Sequence, residues 1–314
     1  MAPNVEGAYR HTWQAVGVTC QVTSNRPFAP EAVVARVEAW EQALSRFRPT
    51  SELMQLNRQR QMRVSPTVHQ LVVASLAVAT WTNGLVVPSL GQAMLDIGYD
   101  RTFAEIGTRA TDISLATPSL VPAWRDIKVQ AGTVTLPPHL MLDVAGVAKG
   151  WMAMQLVAEL SRDGAAVVAE IGGDVAVHAP DPADPWLITV EHPHTAGVLA
   201  EIALHRGAVA TSSVLKRRWR RGGRVVHHLI DPRTGLPAQS DVATATVIAD
   251  DAVYAEAAAK VAVLRGSEAA LAWLDAQALP ALLVTHAGAV VVSRRWHEFL
   301  WHDNQGVTQT KEPL

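Results

Sequence analysis

The segment HHLIDPRTGLP, residues 227–237, holds the densest group of side chains that could do chemistry. The imidazoles of His227 and His228 and the carboxylate of Asp231 lie within five residues, followed by a Thr-Gly turn. Imidazole and carboxylate groups exchange protons near neutral pH. This group therefore suits general acid and base catalysis, or the orientation of a phosphate.

A second candidate is GVAKGW, residues 146–151, between an apolar segment that ends near Asp143 and a helix predicted from about Lys149 to Ser161. The free amides and the positive dipole end of a helix that begins there, together with Lys149, could bind an anion. The spacing is not that of a Walker phosphate loop. The ordinary alternative is a tight strand-to-helix turn with a solvated lysine.

The segment EIGGDVAV contains two adjacent glycines, Gly172 and Gly173, between apolar runs. Glycines in this setting form a tight hairpin or let a flat ligand approach the backbone closely. The hairpin is the favoured interpretation. Asp174 is then a turn residue, or a ligand to a ribityl or ribose hydroxyl.

The helix predicted from Asp251 to about Leu264 places Glu256 and Lys260 four residues apart. This spacing is typical of an exposed ion pair worth about 0.2–0.5 kcal/mol, which is the default interpretation. Alanines occupy positions 255 and 257–259, so the pair could instead face a ligand cavity across a surface of small residues.

Six of the nine residues 216–224, KRRWRRGGR, are basic. Such a run is typical of a solvated hairpin face, and a nucleic-acid site is the less favoured alternative because the net charge of the chain is −2. The histidines at 178, 192 and 194 lack the spacing of a zinc site.

Length and composition bound the function class. The chain has 314 residues, of which 49% are hydrophobic and 18% charged, as in a globular protein with a sizeable core. The single cysteine, Cys20, excludes an internal disulfide framework. There is no apolar run long enough for a membrane helix and no signal-like start, so we expect a cytoplasmic protein that binds neither membrane nor nucleic acid.

Periodicity places these residues on predicted elements. A strand is predicted over 13–23, helices after Pro30, from Ser65-Pro66 to Thr82, and after Pro88, and an irregular stretch over 104–124. Short strands follow from Ile127, interrupted by the helices near 149–161, 251–264 and 268–276. This order predicts an α+β or mixed α/β fold rather than a doubly wound sheet. Residues 1–302 are expected to form one compact unit, with possible subdomains 12–125 and 126–302, and residues 303–314 a flexible tail.

Taken in chain order, SELMQLN, LDVAGVAKG, EIGGD, VATSS, HHLIDPRTGLP and the small-residue helix at 255–260 resemble the ApbE family, the FAD:protein FMN transferases. The resemblance covers about residues 12–296, and HHLIDPRTG after VATSS is its most specific part. It implies a T-fold-related arrangement of sheets and packed helices, FAD bound in a cleft, and Mg²⁺. It also implies transfer of the FMN portion of FAD to a Thr or Ser hydroxyl of a target flavoprotein, with release of AMP.

The resemblance also implies roles for individual residues. Asn57 would lie near the pyrophosphate, and Lys149 with its helix start would hold the flavin phosphates. His228 and Asp231 would stand at the reacting phosphate, with His228 as the base for the acceptor hydroxyl. The other residues expected to bind the cofactor are Asp143, Gly150, Gly172, Gly173, Asp174, Thr211, Ser212, His228 and Lys260.

The chain departs from the family pattern at the magnesium site. Where the family has Asp and, four residues later, Thr, this chain has Glu256 and Lys260. A carboxylate can bind the metal, but a charged ammonium has no lone pair and repels it. Lys260 could supply positive charge itself. Residues 16–18 and Met154 also differ from the family, so flavin binding is better supported than metal-dependent transfer.

FMN transfer is the leading expectation. The alternatives are a flavoprotein that binds FAD without transferring it, an FAD pyrophosphatase, and, more distantly, a nucleic-acid-binding module.

Overall fold

The structure is a computed structural model that describes residues 8–106, 123–195 and 197–301. Its helices are α1 (Pro30–Leu44), α2 (Glu52–Gln59), α3 (Pro66–Trp81), α4 (Gly91–Asp96), α5 (Phe103–Ile106), α6 (Ala145–Leu160), α7 (Ala252–Arg265) and α8 (Ser267–Ala276). Short 3-10 turns cover Trp124–Asp126 and Trp296–Phe299. Side-chain caps start three of the helices: Ser51 caps α2, Ser65 caps α3 and Asp251 caps α7.

The strands of the first half are β1 (Tyr9–Ala15), β2 (Val18–Ser24), β3 (Gln61–Arg63), β4 (Lys128–Gln130), β5 (Thr133–Thr135), β6 (Val167–Ile171) and β7 (Asp174–His178). Those of the second half are β8 (Trp186–Glu191), β9 (Val198–Leu204), β10 (Arg206–Ser213), β11 (Arg218–Arg221), β12 (Arg224–His227), β13 (Ile230–Asp231), β14 (Leu236–Pro237), β15 (Val242–Ala249), β16 (Ala281–Thr285) and β17 (Val290–Val292).

The central element is an eight-stranded sheet in the order β1-β2-β6-β7-β10-β15-β16-β17. Every neighbouring pair in it is antiparallel. Smaller sheets are formed by β3-β5-β4 and by the pairs β8-β9, β11-β12 and β13-β14. The expectation of a mixed α/β fold without a doubly wound sheet is confirmed.

Both faces of the central sheet are covered, because successive side chains of a strand point to opposite sides. On β6, Ala169 packs with the helices, whereas Val168 packs on the other side with Trp186 and Ile188 of the β8-β9 ribbon. The strands therefore read as nearly continuous apolar runs. The helical face holds α6 and α7, which carry several of the predicted site residues.

Helices α6 and α7 approach each other closely at Gly150. A Cβ atom added there would lie 2.5 Å from the carbonyl oxygen of Ala252 at the start of α7. No side chain fits between the two backbones. The glycine that was expected to bind the cofactor thus sets the distance between two helices.

Several predicted elements differ from the observed ones. The strand predicted over 13–23 is the β1-β2 hairpin, which turns at residues 16–17. Helix α2 was not predicted, because its eight residues include only two buried leucines. The 104–124 stretch begins with α5 and ends in a 3-10 turn, and its part at 107–122 lies outside the described residues, as does the predicted tail. The proposed subdomain division stays a prediction.

Helix α6 begins at Ala145, a full turn before the predicted start. Residues 141–144 form no strand. Lys149 therefore lies in the second turn of the helix rather than at its free N-terminal amides. The predicted helix start is wrong, and the expectation that Lys149 binds an anion stays a prediction. Among the residues described, no helix is long and apolar enough to cross a membrane.

We expect Gly150→Ala to lower the free energy of unfolding by about 1–3 kcal/mol, because the added methyl group overpacks the α6-α7 crossing. Gly146→Ala in the first turn of the same helix is the matched control, since its Cβ would meet only a side-chain carbon of Val86 at 3.9 Å. That variant should be neutral or gain up to about 1 kcal/mol of helix propensity. Urea denaturation measures both; equal effects would contradict the close crossing.

Candidate active site

A cavity of about 910 Å³ opens where α6, α7 and the 227–230 segment face the β6-β7 turn. Its volume is in the range of sites that hold a large organic ligand. The expected site residues that line it are Asp143, Lys149, Gly172, Gly173, Thr211, Ser212, His228, Glu256 and Lys260. Asn57, Gly150, Asp174 and Asp231 do not line it.

Two buried acidic residues and two partly buried lysines form a cluster at the wall of this cavity. The Nζ atom of Lys149 donates to Asp174 Oδ2 and, at 2.8 Å, to Glu256 Oε1. Lys260 Nζ donates to the same Glu256 oxygen at 3.0 Å. The second oxygen, Oε2, accepts from the backbone amide of Gly150 at 3.0 Å. The side chains of Asp174 and Glu256 are only 1% and 2% exposed, so each carboxylate depends on these donors.

The pKa values in the cluster follow from burial and from its neighbours. Burial raises the pKa of Glu256, but the ammonium groups of Lys149 and Lys260 outweigh it and leave the pKa below its ordinary value. Burial and the negative charge of Glu256 raise the pKa of Asp174. Burial lowers the pKa of Lys260, against the attraction of Glu256. Glu256 is therefore the ionised centre that holds both ammonium groups.

Glu256 and Lys260 form the ion pair that their spacing indicates, but the default expectation of an exposed pair is wrong. Glu256 is 1% exposed, and both residues line the cavity instead of a solvated helix face. The alanines around them explain this, because small residues let α7 pack against α6 and the central sheet.

The two glycines form the tight hairpin turn between β6 and β7. Gly172 and Gly173 have φ values of 60° and 91°, and Ile171 pairs directly with Asp174 across the two-residue loop. A Cβ on Gly172 would lie 2.8 Å from side-chain atoms of Val18. The turn lines the cavity with backbone and directs Asp174 inward to Lys149.

Hydroxyl groups from the central sheet form another part of the wall. Thr211 on β10 and Thr246 on β15 share a hydrogen bond of 2.9 Å between their side-chain oxygens. Both residues line the cavity, as does the mostly buried Ser212. Hydroxyls can both donate and accept, so this wall can serve polar ring or ribityl groups.

Of the two adjacent histidines, only His228 lines the cavity. Burial and the nearby charge of Arg217 hold the pKa of His228 well below its ordinary value, so its imidazole is neutral at pH 7. Its buried Nδ1 atom has no hydrogen-bond partner among the residues that the structure describes. His227 is occupied elsewhere, with Nε2 3.1 Å from the carbonyl oxygen of Ala238. The segment thus presents one available imidazole to the cavity.

Asp231 is outside the cavity because its carboxylate is bound by Arg233. The Nε and Nη2 atoms of that arginine donate to it at 2.9 and 2.6 Å, and the backbone amide of Arg233 adds a third bond at 2.9 Å. These bonds hold the pKa of Asp231 below its ordinary value in spite of burial. In this structure Asp231 shapes the turn that follows β13.

Asn57 also lies outside the cavity, and its side chain forms hydrogen bonds with the backbone of Leu142. Its Oδ1 accepts from the amide of Leu142 at 2.7 Å, and its Nδ2 donates to the carbonyl oxygen of Leu142 at 2.9 Å. The segment before α6 is thereby fixed to α2. Asn57 thereby positions the neighbouring Asp143, and the expectation that it lies near the pyrophosphate stays a prediction.

Sequence reasoning missed Arg46, which lines the cavity from the segment after α1. Its Nε donates to Asp143 Oδ2 at 2.9 Å, and its Nη1 donates to the carbonyl oxygen of Tyr99 at 2.5 Å. The two charged side chains are 5% and 6% exposed. The only signal in the sequence is an arginine just after an amphipathic helix. This pattern is too common to identify Arg46 as a site residue.

The comparisons with known proteins agree with this geometry. The ApbE family profile matches residues 16–283, which is most of the chain. The chain belongs to the ApbE family.

Characterised relatives of this ApbE chain carry the name FAD:protein FMN transferase. The protein from Treponema pallidum is 28% identical over 300 residues, covering 85% of this chain and 81% of its own. That from Salmonella typhimurium is 25% identical over 236 residues, covering 71% and 67%.

Two solved ApbE structures share the fold. The protein from Thermotoga maritima has a TM-score of 0.82 at 23% identity and covers 94% of this chain and all of its own. The apo form of the flavinyl transferase ApbE from Pseudomonas stutzeri has a TM-score of 0.77 at 21% identity, with 93% and 96% covered.

We expect Arg46→Ala to lower the free energy of unfolding by about 3–5 kcal/mol, because it leaves the carboxylate of Asp143 buried without a counter-charge. Arg36→Ala, which breaks the solvated Arg36–Glu159 pair, is the control and should cost at most about 1 kcal/mol. Thermal or urea denaturation measures both. A small loss at Arg46 would show that Asp143 needs no partner.

Proposed function

We propose that this chain transfers the FMN portion of FAD to a Thr or Ser hydroxyl of a target protein and releases AMP. The observation that carries the proposal is the convergence of Lys149, Lys260 and His228 on one cavity in a chain of the ApbE family. Two cations and one neutral base are the groups that such a transfer requires.

In the proposed reaction, the acceptor hydroxyl oxygen attacks the phosphorus atom of the FMN half. A new P–O bond forms to the acceptor, and the P–O bond to the AMP half breaks. AMP leaves with the electron pair of the broken bond. His228 receives the hydroxyl proton, which requires the neutral imidazole that its lowered pKa supplies.

The cluster of Lys149, Lys260, Glu256 and Asp174 supports the binding of the phosphates. Glu256 holds both ammonium groups in place before a ligand arrives, so little side-chain entropy remains to be lost on binding. A charge-assisted hydrogen bond from an ammonium to a pyrophosphate oxygen contributes about 1.5–3 kcal/mol. The glycine turn and the Thr211–Thr246 pair then remain for the flavin ring and its ribityl chain.

The metal expected from the family does not fit the donor set at this position. Glu256 Oε1 already accepts from two ammonium groups, and Oε2 accepts from the Gly150 amide. A divalent cation placed at this carboxylate would lie beside the positive charges of Lys149 and Lys260. Among the described residues, no group of three His, Cys, Asp or Glu side chains could hold a metal ion. We therefore assign the charge-neutralising role at this position to Lys260.

A second function, binding of FAD without transfer, is favoured by the same observation. One ammonium neutralises less of the charge that develops on a transferring phosphoryl group than a divalent ion does. A chain that relies on Lys260 could thus keep its affinity for FAD and turn over slowly. Release of AMP without any acceptor would instead indicate the pyrophosphatase.

The central test combines the protein and FAD with an acceptor protein that carries an accessible Thr, and measures AMP together with covalent flavin fluorescence on the acceptor. We expect both products in equal amounts. His228→Ala should abolish them while leaving the Kd for FAD within about tenfold, because a base acts mainly on the transition state. The acid limb of kcat/KM for the parent should lie below pH 6.5, since protonation of His228 occurs only there.

His227→Ala is the matched control for this test, because His227 has the same side chain but does not line the cavity. It should retain most of the transfer. Equal loss in both variants would show that the cavity side of the segment is misassigned. Tight binding of FAD without covalent flavin or AMP would support the second function instead.

We expect the Kd of the parent for FAD to be unchanged by EDTA. Lys260→Thr should weaken binding about tenfold or more in EDTA, because one charge-assisted bond is lost, and Mg²⁺ should restore part of it. Lys128→Thr, which changes an exposed lysine of β4, is the control and should bind like the parent. Quenching of flavin fluorescence measures these constants. A parent whose affinity for FAD collapses in EDTA would contradict the assignment to Lys260.

A further inference from the structure

The hairpin formed by β11 and β12 carries a concentration of positive charge that the proposed reaction does not use. We call it the basic hairpin, residues 216–227. Its cations are Lys216, Arg217, Arg218, Arg220, Arg221 and Arg224. None of the six takes part in an ion pair within the part of the chain that the structure describes. The net charge of the whole chain is −2, so this surface is a local exception.

The basic hairpin is anchored to the fold. On its inner face, Trp219 and Val226 are buried in an apolar cluster with Ile97 and Tyr99. The indole Nε1 of Trp219 donates to the carbonyl oxygen of Ile97 at 3.0 Å. The ribbon is therefore held in place, and its exposed residues have a defined position.

The stability of the fold does not account for these cations. Arg218 and Arg220 are two residues apart on one strand and share the outer face, where their like charges repel. Both side chains are exposed to solvent, so the burial of their apolar atoms adds little to the stability of the fold. Arginines stay charged at every physiological pH, so the repulsion is permanent. A cost of this kind indicates a partner that supplies the missing negative charge.

The position of the basic hairpin indicates which partner. Lys216 and Arg217, at its base, line the same cavity as His228. The cationic surface thus continues from the solvent to the base that would receive the acceptor proton. Val225, half exposed beside Arg220 in the ladder, adds an apolar contact to this outer face. An acceptor segment that reaches His228 along this wall meets Lys216 and Arg217.

We propose that the outer face of the basic hairpin is the docking surface for the acceptor protein, and that the acceptor segment carries Asp and Glu residues next to its Thr or Ser. This inference rests on the proposed transfer function. Complementary charge raises the rate of encounter and selects against acceptors with basic flanks. Nucleic acid is disfavoured as the partner, because a polynucleotide needs a continuous basic track and the chain is acidic elsewhere.

The test uses two fluorescein-labelled peptides of equal length with a central Thr, one flanked by Asp and Glu and the other by Lys. With FAD present, we expect the acidic peptide to bind at least about tenfold more tightly by fluorescence anisotropy at low salt. Near 1 M NaCl the difference should largely disappear, because the Debye length falls to about 3 Å. Transfer of flavin, where it occurs, should follow the same order.

Arg218→Glu combined with Arg220→Glu should remove or reverse the preference for the acidic peptide. Both residues lie outside the cavity, so the Kd for FAD should stay within about twofold. The control is Arg10→Glu combined with Arg162→Glu, which makes the same change of charge at exposed arginines elsewhere and should keep the preference. A single-stranded oligonucleotide serves as the competing probe.

The outcomes separate this inference from the proposed function. Equal binding of both peptides, or a preference that the Arg218 and Arg220 changes leave intact, overturns the docking surface even where transfer occurs. Tighter binding of the oligonucleotide than of the acidic peptide overturns it in favour of nucleic acid. A charge-dependent peptide preference without AMP release or covalent flavin on any acceptor supports the surface and contradicts the transferase.

Discussion

The carboxylate of Glu256 is the constraint on which the site depends. A buried carboxylate without donors is too costly to keep, so α6 must bring both Lys149 and the Gly150 amide within hydrogen-bond distance of it. That requirement sets the helix crossing, which only glycine permits. Lys149 then needs Asp174, so the β6-β7 turn is tied to the same point. One charge thus joins two helices and the central sheet at the wall of the cavity.

This arrangement also decides what the cavity can bind. The cluster holds two lysines and two acidic residues; Lys149, Lys260 and Glu256 line the cavity, whereas Asp174 does not. The ammonium groups of Lys149 and Lys260 are held in place by Glu256 before a ligand binds. Positive charges in fixed positions suit an anionic pyrophosphate. The same lysine charges would attract a phosphate and repel a divalent cation placed at Glu256. In the function proposed above, a phosphate and a metal ion would compete for the position beside Glu256, and the two lysines favour the phosphate there.

A second set of bonds positions the cavity from the other side. The residues before α6 form no strand and are held by side chains from distant segments: Asn57 binds the backbone of Leu142, and Arg46 binds the side chain of Asp143. Both pairs are almost completely buried and act as fixed supports, and Arg46 and Asp143 also line the cavity. The basic hairpin rests on the adjacent apolar cluster through Trp219. The basic hairpin is therefore packed against the body of the fold beside the cavity.

Local patterns in the sequence were enough for the features that depend on near neighbours. The caps and apolar spacing of α3 and α7 and the adjacent glycines of the β6-β7 turn predicted these elements, because helix starts and tight turns are decided within a few residues. The ordered motifs indicated the ApbE family.

Only the tertiary structure decided which charged groups meet. Lys149 and Glu256 are 107 residues apart, and Arg46 and Asp143 are 97 apart, so no spacing in the sequence relates them. The start of α6 was misplaced because the apolar run before it has the sequence pattern of a strand. In the fold this run is irregular and is fixed by Asn57 and Arg46, which come from distant parts of the chain. Glu256 and Lys260 have the spacing of an exposed ion pair, and their burial depends on a neighbouring helix that comes close only at a glycine. Sequence determines the types of the groups and their local geometry, whereas burial, which sets their charge and their partners, is a property of the whole fold.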